Sequence, residues 1–313
     1  MSGLFTKVKL FKERISQIGE LLRRVDDLQK AVGRLEARQL LSPGAPKRAL
    51  QEYEFKVYSQ WGEDGIIQFL VHQIDIPNKV FVEFGVQDYK ESNTRFLLQH
   101  NNWSGLVIDA SREGIDYIRN DELYFRNNLR AVCAFIDKDN INKLIAENGI
   151  RGDIGLLSID IDGNDYWIWN AIECISPRIV ICEYDSLLGS RSAVTTPYDK
   201  NFDRSAAHFS FLYGGASLKA LYLLGKKKGY ALVGSNSDGL NAFFVRNDVL
   251  GTLTPLTPEQ AYVKARFRNS KDASGKLTYL NFEESVKLIA EMPLFDVEKE
   301  ELVKVKDVND QEA

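Results

Sequence analysis

Through the middle of the chain, short apolar runs alternate with segments long enough to form helices. Such alternation predicts right-handed βαβ crossovers and a mainly parallel sheet. The five runs predicted as parallel strands cover residues 80–84, 105–111, 131–137, 155–163 and 177–185. Two later runs, 230–233 and 242–245, flank a polar turn and predict an antiparallel hairpin at one edge. The predicted fold class is therefore α/β.

The first 40 residues follow a different period. Their apolar positions recur at alternating spacings of four and three, with one doubled step of three; they are Leu4, Val8, Phe11, Ile15, Ile18, Leu22, Val25, Leu28, Val32 and Leu35. This period predicts a coiled-coil helix, and the doubled step resembles a stammer. So narrow a stripe favours self-association into a homo-oligomer. The alternatives are packing on the chain's own domain and peripheral contact with a membrane surface.

Proline and glycine in the segment LSPGAPK, residues 41–47, predict a boundary. We predict a coiled-coil oligomerisation helix at residues 1–41, a linker at 42–52, an α/β domain at 53–250, and a C-terminal helical extension with a charged tail at 251–313. Helices are predicted at 257–268 and 282–291. Residues 298–313 are highly charged and are expected to fray into solvent.

Composition narrows the function classes. The 313 residues include 40 basic and 44 acidic side chains, a net charge of −4, so no global cationic field favours nucleic acid or anionic lipid. Hydrophobic residues make up 44%, enough for a substantial core. The absence of a long apolar run and of signal-peptide features, with three cysteines in no metal-type spacing, predicts a cytosolic protein with reduced thiols.

The ends of the first two predicted strands carry candidate binding residues. Glu83 and Gly85 close the first strand, and Asp109 ends the second. In an open α/β sheet, ligands collect beyond the carboxyl ends of strands, and an acid at the second strand often binds ribose hydroxyls. Glycine lets the backbone approach a ligand where a Cβ would clash. Together these residues favour a nucleoside-containing cofactor, although either acid alone could simply close a buried strand.

Five acids lie at or just after the ends of the fourth and fifth predicted strands: Asp160, Asp162, Asp165, Glu183 and Asp185. If the fourth strand continues, Asp160 and Asp162 share one face. Carboxylates converging at one sheet edge repel one another unless a proton or a cation lies between them. Oxygen ligands suit Mg²⁺, with Mn²⁺ or Ca²⁺ as alternatives. The other interpretation is that these acids cap helices and form ion pairs.

We predict Asp160, Asp162, Glu183 and Asp185 as metal ligands. Asp162 is also a candidate catalytic residue, because a metal there can lower the pKa of a substrate hydroxyl and orient it. Asp165 is a candidate base for the hydroxyl proton. His208, in the segment after the fifth strand, is a second candidate base, and an ordinary loop histidine is the alternative.

A family resemblance joins these observations. The ordered motifs SQWGEDGII, FVEFGV, ESNTRFLL, GLVIDAS, LLSIDIDGNDYWIW and VICEYDS resemble the S-adenosylmethionine (SAM)-dependent methyltransferases of the FkbM type. Their acid placement is similar to that of metal-dependent macrocin-type sugar O-methyltransferases. The resemblance covers residues 53–249 and implies a Rossmann-like class I methyltransferase fold. It also implies SAM as cofactor and divalent-metal-assisted methylation of a sugar hydroxyl.

The resemblance also implies roles for individual residues. Glu83, Gly85 and Asn93 would receive the methionine part of the cofactor, and Asp109 would bind its ribose. The remaining candidate cofactor contacts are Gln60, Ala110 and Ser111. This sequence departs from the family in the turn after the first strand, which is usually rich in glycine. Here the turn has only Gly85, followed by VQD. The missing GxGxxG argues against a nicotinamide enzyme.

The predicted acceptor is a glycan, a nucleotide sugar or a secondary metabolite that carries a sugar. Two other functions stay open. A glycosyltransferase would use Asp160-Ile161-Asp162 as a metal–diphosphate motif. A catalytically silent methyltransferase-like scaffold would instead use the N-terminal coiled coil to organise a glycan-modifying assembly.

Overall fold

A computed structural model describes residues 2–40, 49–266 and 270–308, with side chains from residue 11 onward. Its strands are β1 Val80–Phe84, β2 Ser104–Asp109, β3 Leu129–Cys133, β4 Gly152–Ile159, β5 Ile175–Glu183, β6 Val194–Thr195, β7 Tyr230–Ser235, β8 Asn241–Arg246, β9 Pro293–Asp296 and β10 Glu301–Lys304. They form a seven-stranded sheet, in the order β3-β2-β1-β4-β5-β8-β7, and a small sheet, in the order β10-β9-β6.

The large sheet confirms the predicted fold class. Strands β1 to β5 are parallel, and β8 lies antiparallel between β5 and β7. This is the Rossmann-like arrangement with a C-terminal hairpin that the sequence predicts. The chain reverses its direction of progress across the sheet between β1 and β4, and open α/β sheets bind ligands outside the strand ends at such a point.

Helices cover both faces of this sheet. They are α1 Ser2–Leu40, α2 Glu63–Gln73, α3 Arg95–His100, α4 Arg112–Asn120, α5 Glu122–Arg126, α6 Ile141–Glu147, α7 Asp165–Ala171, α8 Arg204–Ala207, α9 Leu218–Lys228, α10 Pro258–Ala261 and α11 Phe282–Leu288. Short 3₁₀ helices occur at Leu50–Tyr53, Ser186–Leu188, Asn247–Val249 and Val305–Asp307. Alternate strand residues feed the two core layers: Val82 and Phe84 enter one, and Phe81 enters the other.

The fourth strand ends earlier than predicted. β4 stops at Ile159, and Asp162 adopts a left-handed conformation with φ 59°. The cause is the side chain of Asp165, whose Oδ1 accepts the amide N–H of Ile161 and whose Oδ2 accepts that of Gly163, both at 2.9 Å. These bonds close a turn immediately after the strand. The expectation that Asp160 and Asp162 share one strand face is therefore wrong.

The C-terminal extension is more ordered than predicted. Strands β9 and β10 form a hairpin that pairs with β6, and Val305 is buried, so the expected fraying is wrong for residues 298–308. Residues 309–313 lie outside the described part. Within residues 257–266, the predicted helix is confined to α10, because the Tyr184 hydroxyl donates to the carbonyl of Val263 and accepts its N–H, which holds the following chain extended. Residues 267 and 268 lie outside the described part.

The predicted N-terminal helix is confirmed as α1, whereas its self-association stays a prediction. Most of the predicted linker, residues 42–48, lies outside the described part, as does residue 41 of the predicted coiled-coil segment. Residues 50–52 belong to the folded body, since Leu50–Tyr53 is a 3₁₀ helix in which Gln51 donates to the carbonyl of Ser235 at 2.7 Å. The three cysteines are free thiols, as predicted. Across the described ranges, no helix combines the length and apolar character needed to cross a bilayer.

Asp64, in the first turn of α2, organises the loop that leads to the ligand-binding edge of the sheet. Its Oδ2 accepts the backbone N–H groups of Val57, Tyr58 and Ser59 at 2.8, 2.6 and 2.8 Å. Burial raises the pKa of this carboxyl to about 6, and the three N–H donors oppose that rise. The next residue of the loop, Gln60, therefore starts from a fixed backbone.

We predict that Asp64→Ala lowers the free energy of unfolding by about 3 kcal/mol, because three buried N–H groups lose their acceptor. Urea denaturation followed by circular dichroism measures the change. The matched control is Asp116→Ala, at an exposed position of α4. A loss no greater than that of the control would show that the loop does not depend on Asp64.

Candidate active site

Two cavities open at the carboxyl edge of the large sheet. The first, about 460 Å³, lies beyond the ends of β1 to β4; the second, about 340 Å³, lies between the end of β5 and the C-terminal extension. They share four lining residues: Asp162, Glu183, Arg204 and Leu240. A ligand in one cavity would therefore lie next to a ligand in the other.

The turn after β1 achieves a tight shape without the usual glycines. Gln87 and Tyr89 have φ 48° and 61°, a left-handed region that non-glycine residues rarely adopt. The N–H of Gln87 donates to Asp109 Oδ2 at 2.7 Å, and the Tyr89 hydroxyl pairs with Thr94 Oγ1 at 2.8 Å. Strained backbone of this kind persists only when its surroundings over-determine it, and it concentrates at functional sites.

Gly85 is required by the packing of two strand ends. Its φ is +72°, and a Cβ at this position would lie 1.7 Å from the carbonyl oxygen of Asp160. The predicted reason for this glycine was close approach to a ligand. Gly85 does line the first cavity, but the contact that excludes a side chain is with Asp160.

Glu83 holds the neighbouring loop by hydrogen bonds and also lines the small cavity next to Gly85. Its Oε1 accepts the N–H of Asn93 at 2.8 Å, and its Oε2 accepts the hydroxyl of Ser92 at 2.6 Å and the N–H of Thr94 at 3.2 Å. Burial raises the pKa of this carboxyl, against the effect of these donors. Glu83 therefore positions the 92–94 loop. Asn93 itself lines a smaller cavity of about 130 Å³ next to Gly85.

Asp109 lies where the sequence predicts, at the end of β2 and on the wall of the first cavity. Its two oxygens accept the N–H groups of Gln87 and Ser111, each at 2.7 Å, and a carboxylate has further lone pairs for a ligand. Gln60 and Ala110 line the same cavity. Ser111 caps α4 by accepting the N–H of Gly114 at 3.1 Å.

Three acids form a compact group. Asp160, Asp165 and Glu183 each present one carboxylate oxygen, and these oxygens all lie within 4.8 Å of one another. Burial, followed by repulsion from Asp165 and Asp162, raises the pKa of Asp160 to about 8. Burial and Asp160 raise the pKa of Glu183 well above its usual range. Without a cation, this group must hold protons at neutral pH.

The structure redistributes the predicted roles of these acids. Asp165 joins the group in place of Asp162, because the turn after β4 carries Asp162 away. Both oxygens of Asp165 already accept backbone N–H groups, which opposes its predicted role as a base. Asp185 lines the second cavity, where its Oδ2 is buried without a hydrogen-bond partner among the described residues.

Arg204 is the functional residue that the sequence reasoning missed. Its Nη1 donates to Asp162 Oδ1 at 3.1 Å, and its Nε donates to the carbonyl of Phe211 at 2.8 Å. Burial disfavours the charged guanidinium, but Glu183 and Asp185 outweigh this effect and raise its pKa. The available signal was an arginine in the segment after β5, opposite five acids.

His208, which the sequence analysis chose from that segment, has a local role. Its Nδ1 pairs with Ser210 Oγ at 2.7 Å, and its ring stacks on Phe209 with centroids 4.4 Å apart. Partial burial lowers its pKa. Several described residues of this segment line the two cavities, among them Phe202, Arg204 and Leu212, but His208 does not.

The C-terminal extension, to which the sequence analysis gave no chemistry, walls the second cavity. Lys264, Leu280 and Phe282 line it opposite Asp185. Lys264 lies 4.0 Å from the centre of the Phe282 ring and pairs with Glu283 at 3.3 Å. The cavity thus has a carboxylate floor and a partly apolar wall.

No protein-family model matches this chain, and no curated protein matches its sequence. Solved structures with a similar fold include the O-methyltransferase of Bacillus cereus with S-adenosylhomocysteine (SAH): identity 15%, coverage 66% of this chain and 94% of that chain, TM-score 0.37. They also include TrmK of M. capricolum with SAH: identity 12%, coverage 57% of this chain and 65% of that chain, TM-score 0.33. The pyocyanin biosynthetic protein PhzM has an identity of 13%, with coverage of 57% of this chain and 54% of that chain and a TM-score of 0.33. This chain thus spans less than two thirds of TrmK and of PhzM, and likenesses this distant carry no argument on chemistry.

We predict that Arg204→Gln destabilises the protein in a pH-dependent way. Arg204 lowers the pKa values of Asp160, Glu183 and Asp185, so its loss raises them further. A group whose pKa is raised by folding stabilises the protein at low pH. The protein loses this stabilisation as the pH rises through the pKa of the group in the folded state. The deficit against wild type should therefore be small in acid and reach about 3 kcal/mol once these acids are ionised.

Urea denaturation in EDTA across a pH series measures this deficit. Arg112→Gln, at an exposed position of α4, is the control and should show no such trend. A deficit for Arg204→Gln that is constant with pH would mean that Arg204 acts through packing and not through charge.

Proposed function

We propose that this chain is a SAM-dependent O-methyltransferase, assisted by a divalent metal, that methylates a sugar hydroxyl. The observation that carries the proposal is the pair of cavities that meet at Asp162, Glu183 and Arg204. Group transfer between two bound molecules needs both reacting atoms in one protected place. Two adjoining cavities that share a charged wall fit this requirement.

The first cavity fits SAM in size, position and chemistry. Its volume of about 460 Å³ lies in the usual range of small-molecule sites, and it opens where the strand progression reverses. Asp109 would bind the ribose hydroxyls, while Phe135 and Ile136 would border the adenine ring. Asn164 Oδ1 is buried on this wall without a partner among the described residues, so it can accept a ligand N–H. SAM supplies an electrophilic methyl group on its sulfonium.

The acid group fits a divalent cation. Three carboxylate oxygens within 4.8 Å of one another are the hard ligands that Mg²⁺ or Mn²⁺ prefers. The pKa values of Asp160 and Glu183 are raised, as expected for neighbouring acids without a cation between them. Asp160 and Glu183 would hold the ion, with Asp165 as the third ligand. A bound cation lowers the pKa of a coordinated hydroxyl. This assignment keeps two of the four predicted ligands and replaces Asp162 and Asp185.

The second cavity fits an acceptor with several hydroxyl groups. Asp185 Oδ2, the buried oxygen without a partner, can accept a hydroxyl hydrogen bond, and Phe282 can cover the apolar face of a sugar ring. Arg204 orients Asp162 at the shared wall. It also keeps Asp185, on the floor of the second cavity, closer to its ionised form. Ionised carboxylates are the form that can accept the proton released by a hydroxyl.

We predict that SAH binds wild-type protein in calorimetric titration, and that Asp109→Ala weakens this binding at least about tenfold, or about 1.4 kcal/mol. The reason is that Asp109 would contribute acceptors to the ribose and also holds the N–H of Gln87. Asp116→Ala serves as the control for loss of an acid, and Asp162→Asn should leave SAH affinity within about twofold. Equal losses in Asp109→Ala and Asp162→Asn would mean that the roles are misassigned.

We predict that Mg²⁺ raises the melting temperature relative to EDTA, and that the gain is larger above the Asp160 pKa of about 8 than at lower pH. Metal binding requires deprotonated ligands, so protons and the cation compete for the same oxygens. Differential scanning fluorimetry checks both trends. Glu183→Gln should abolish the gain, whereas Glu113→Gln, on exposed α4, should keep it. A gain that survives in Glu183→Gln would rule out this site.

A further inference from the structure

Helix α1 has two distinct faces, and only one of them contacts the folded body. The contacting face consists of Asp26, Lys30, Gly33 and Ala37. The Tyr58 hydroxyl donates to Asp26 Oδ1 at 2.8 Å, and Ala37 is buried. A Cβ on Gly33 would lie 2.3 Å from a Val57 methyl, so the helix backbone lies directly against the body.

The other face carries the heptad positions. We call this set the stripe; each member is between 51% and 65% exposed, and they are Phe11, Ile15, Ile18, Leu22, Val25, Leu28, Val32 and Leu35. With about 100° per residue, stripe positions 25–35 lie about 150° around the helix from the contacting face, and positions 11–22 lie about 60° from it. The body therefore does not cover it, and the alternative that this apolar face packs on the chain's own domain is wrong for the described side chains.

We propose that a second copy of this chain covers the stripe as a two-stranded coiled coil. The stripe spans residues 11–35, which is more than three heptads and about 37 Å of helix. Its spacing near 3.5 residues matches a partner helix of the same period, and a copy of α1 has that period. Because each body attaches opposite stripe positions 25–35, two bodies fit on the outer sides of the pair.

The test uses the full chain in sedimentation equilibrium. Wild type should have twice the mass of the chain. Ile18→Glu combined with Leu22→Glu should raise the dimer dissociation constant at least about a hundredfold, because it places charges in the apolar seam. Ser16→Glu combined with Gln17→Glu adds the same charge at exposed positions outside the seam and should remain dimeric. The melting temperature of the body should be unchanged in both variants.

A monomeric wild type at every concentration, a dimer unaffected by the charged seam, or a monomer that binds phosphatidylserine vesicles through the stripe would overturn self-association itself. These outcomes are independent of methyl transfer.

Discussion

Repulsion among buried acids at the ends of β4 and β5 is the constraint around which this sheet edge is built. Asp160, Asp165 and Glu183 cannot all be ionised within 4.8 Å of one another unless positive charge is supplied. Among the described residues, Arg204 brings positive charge to these acids, and it is held by the Phe211 carbonyl and by Asp162. The negative charge that Arg204 does not balance can be balanced by protons or by a metal ion. Both cavities open onto this acid group.

The first cavity depends on the same strand ends through the backbone. Gly85 lets the end of β1 approach the carbonyl of Asp160, and Glu83 and Asp109 use their oxygens to hold the loops on either side. These two acids have the positions expected of ligand-binding residues in such a sheet. The hydrogen bonds of Glu83 are to the protein. Asp109 lines the first cavity and has further lone pairs for a ligand. The scaffold and the candidate binding surface are thus one hydrogen-bonded unit.

The sequence predicts the strands well because apolar runs bounded by polar turns are a local signal, as at β1 and β5. It fails at Asp162 because the turn after β4 depends on a side chain, Asp165, that binds the backbone before it. Arg204 and the wall around Phe282 were missed for a different reason: they reach the acids only through tertiary packing. Residues 298–308 were misjudged from their charge, since pairing of β9 with β6 outweighs it.

The central claim is that a SAM-binding cavity and a metal-binding acid group share one wall. A crystal structure of the full chain grown with SAH and Mn²⁺, with anomalous data collected at the manganese edge, tests it most directly. We expect SAH against Asp109 in the first cavity and an anomalous peak for a manganese ion bound by Asp160 and Glu183. A nucleoside density elsewhere, or manganese bound away from these two carboxylates with the first cavity empty, would contradict it.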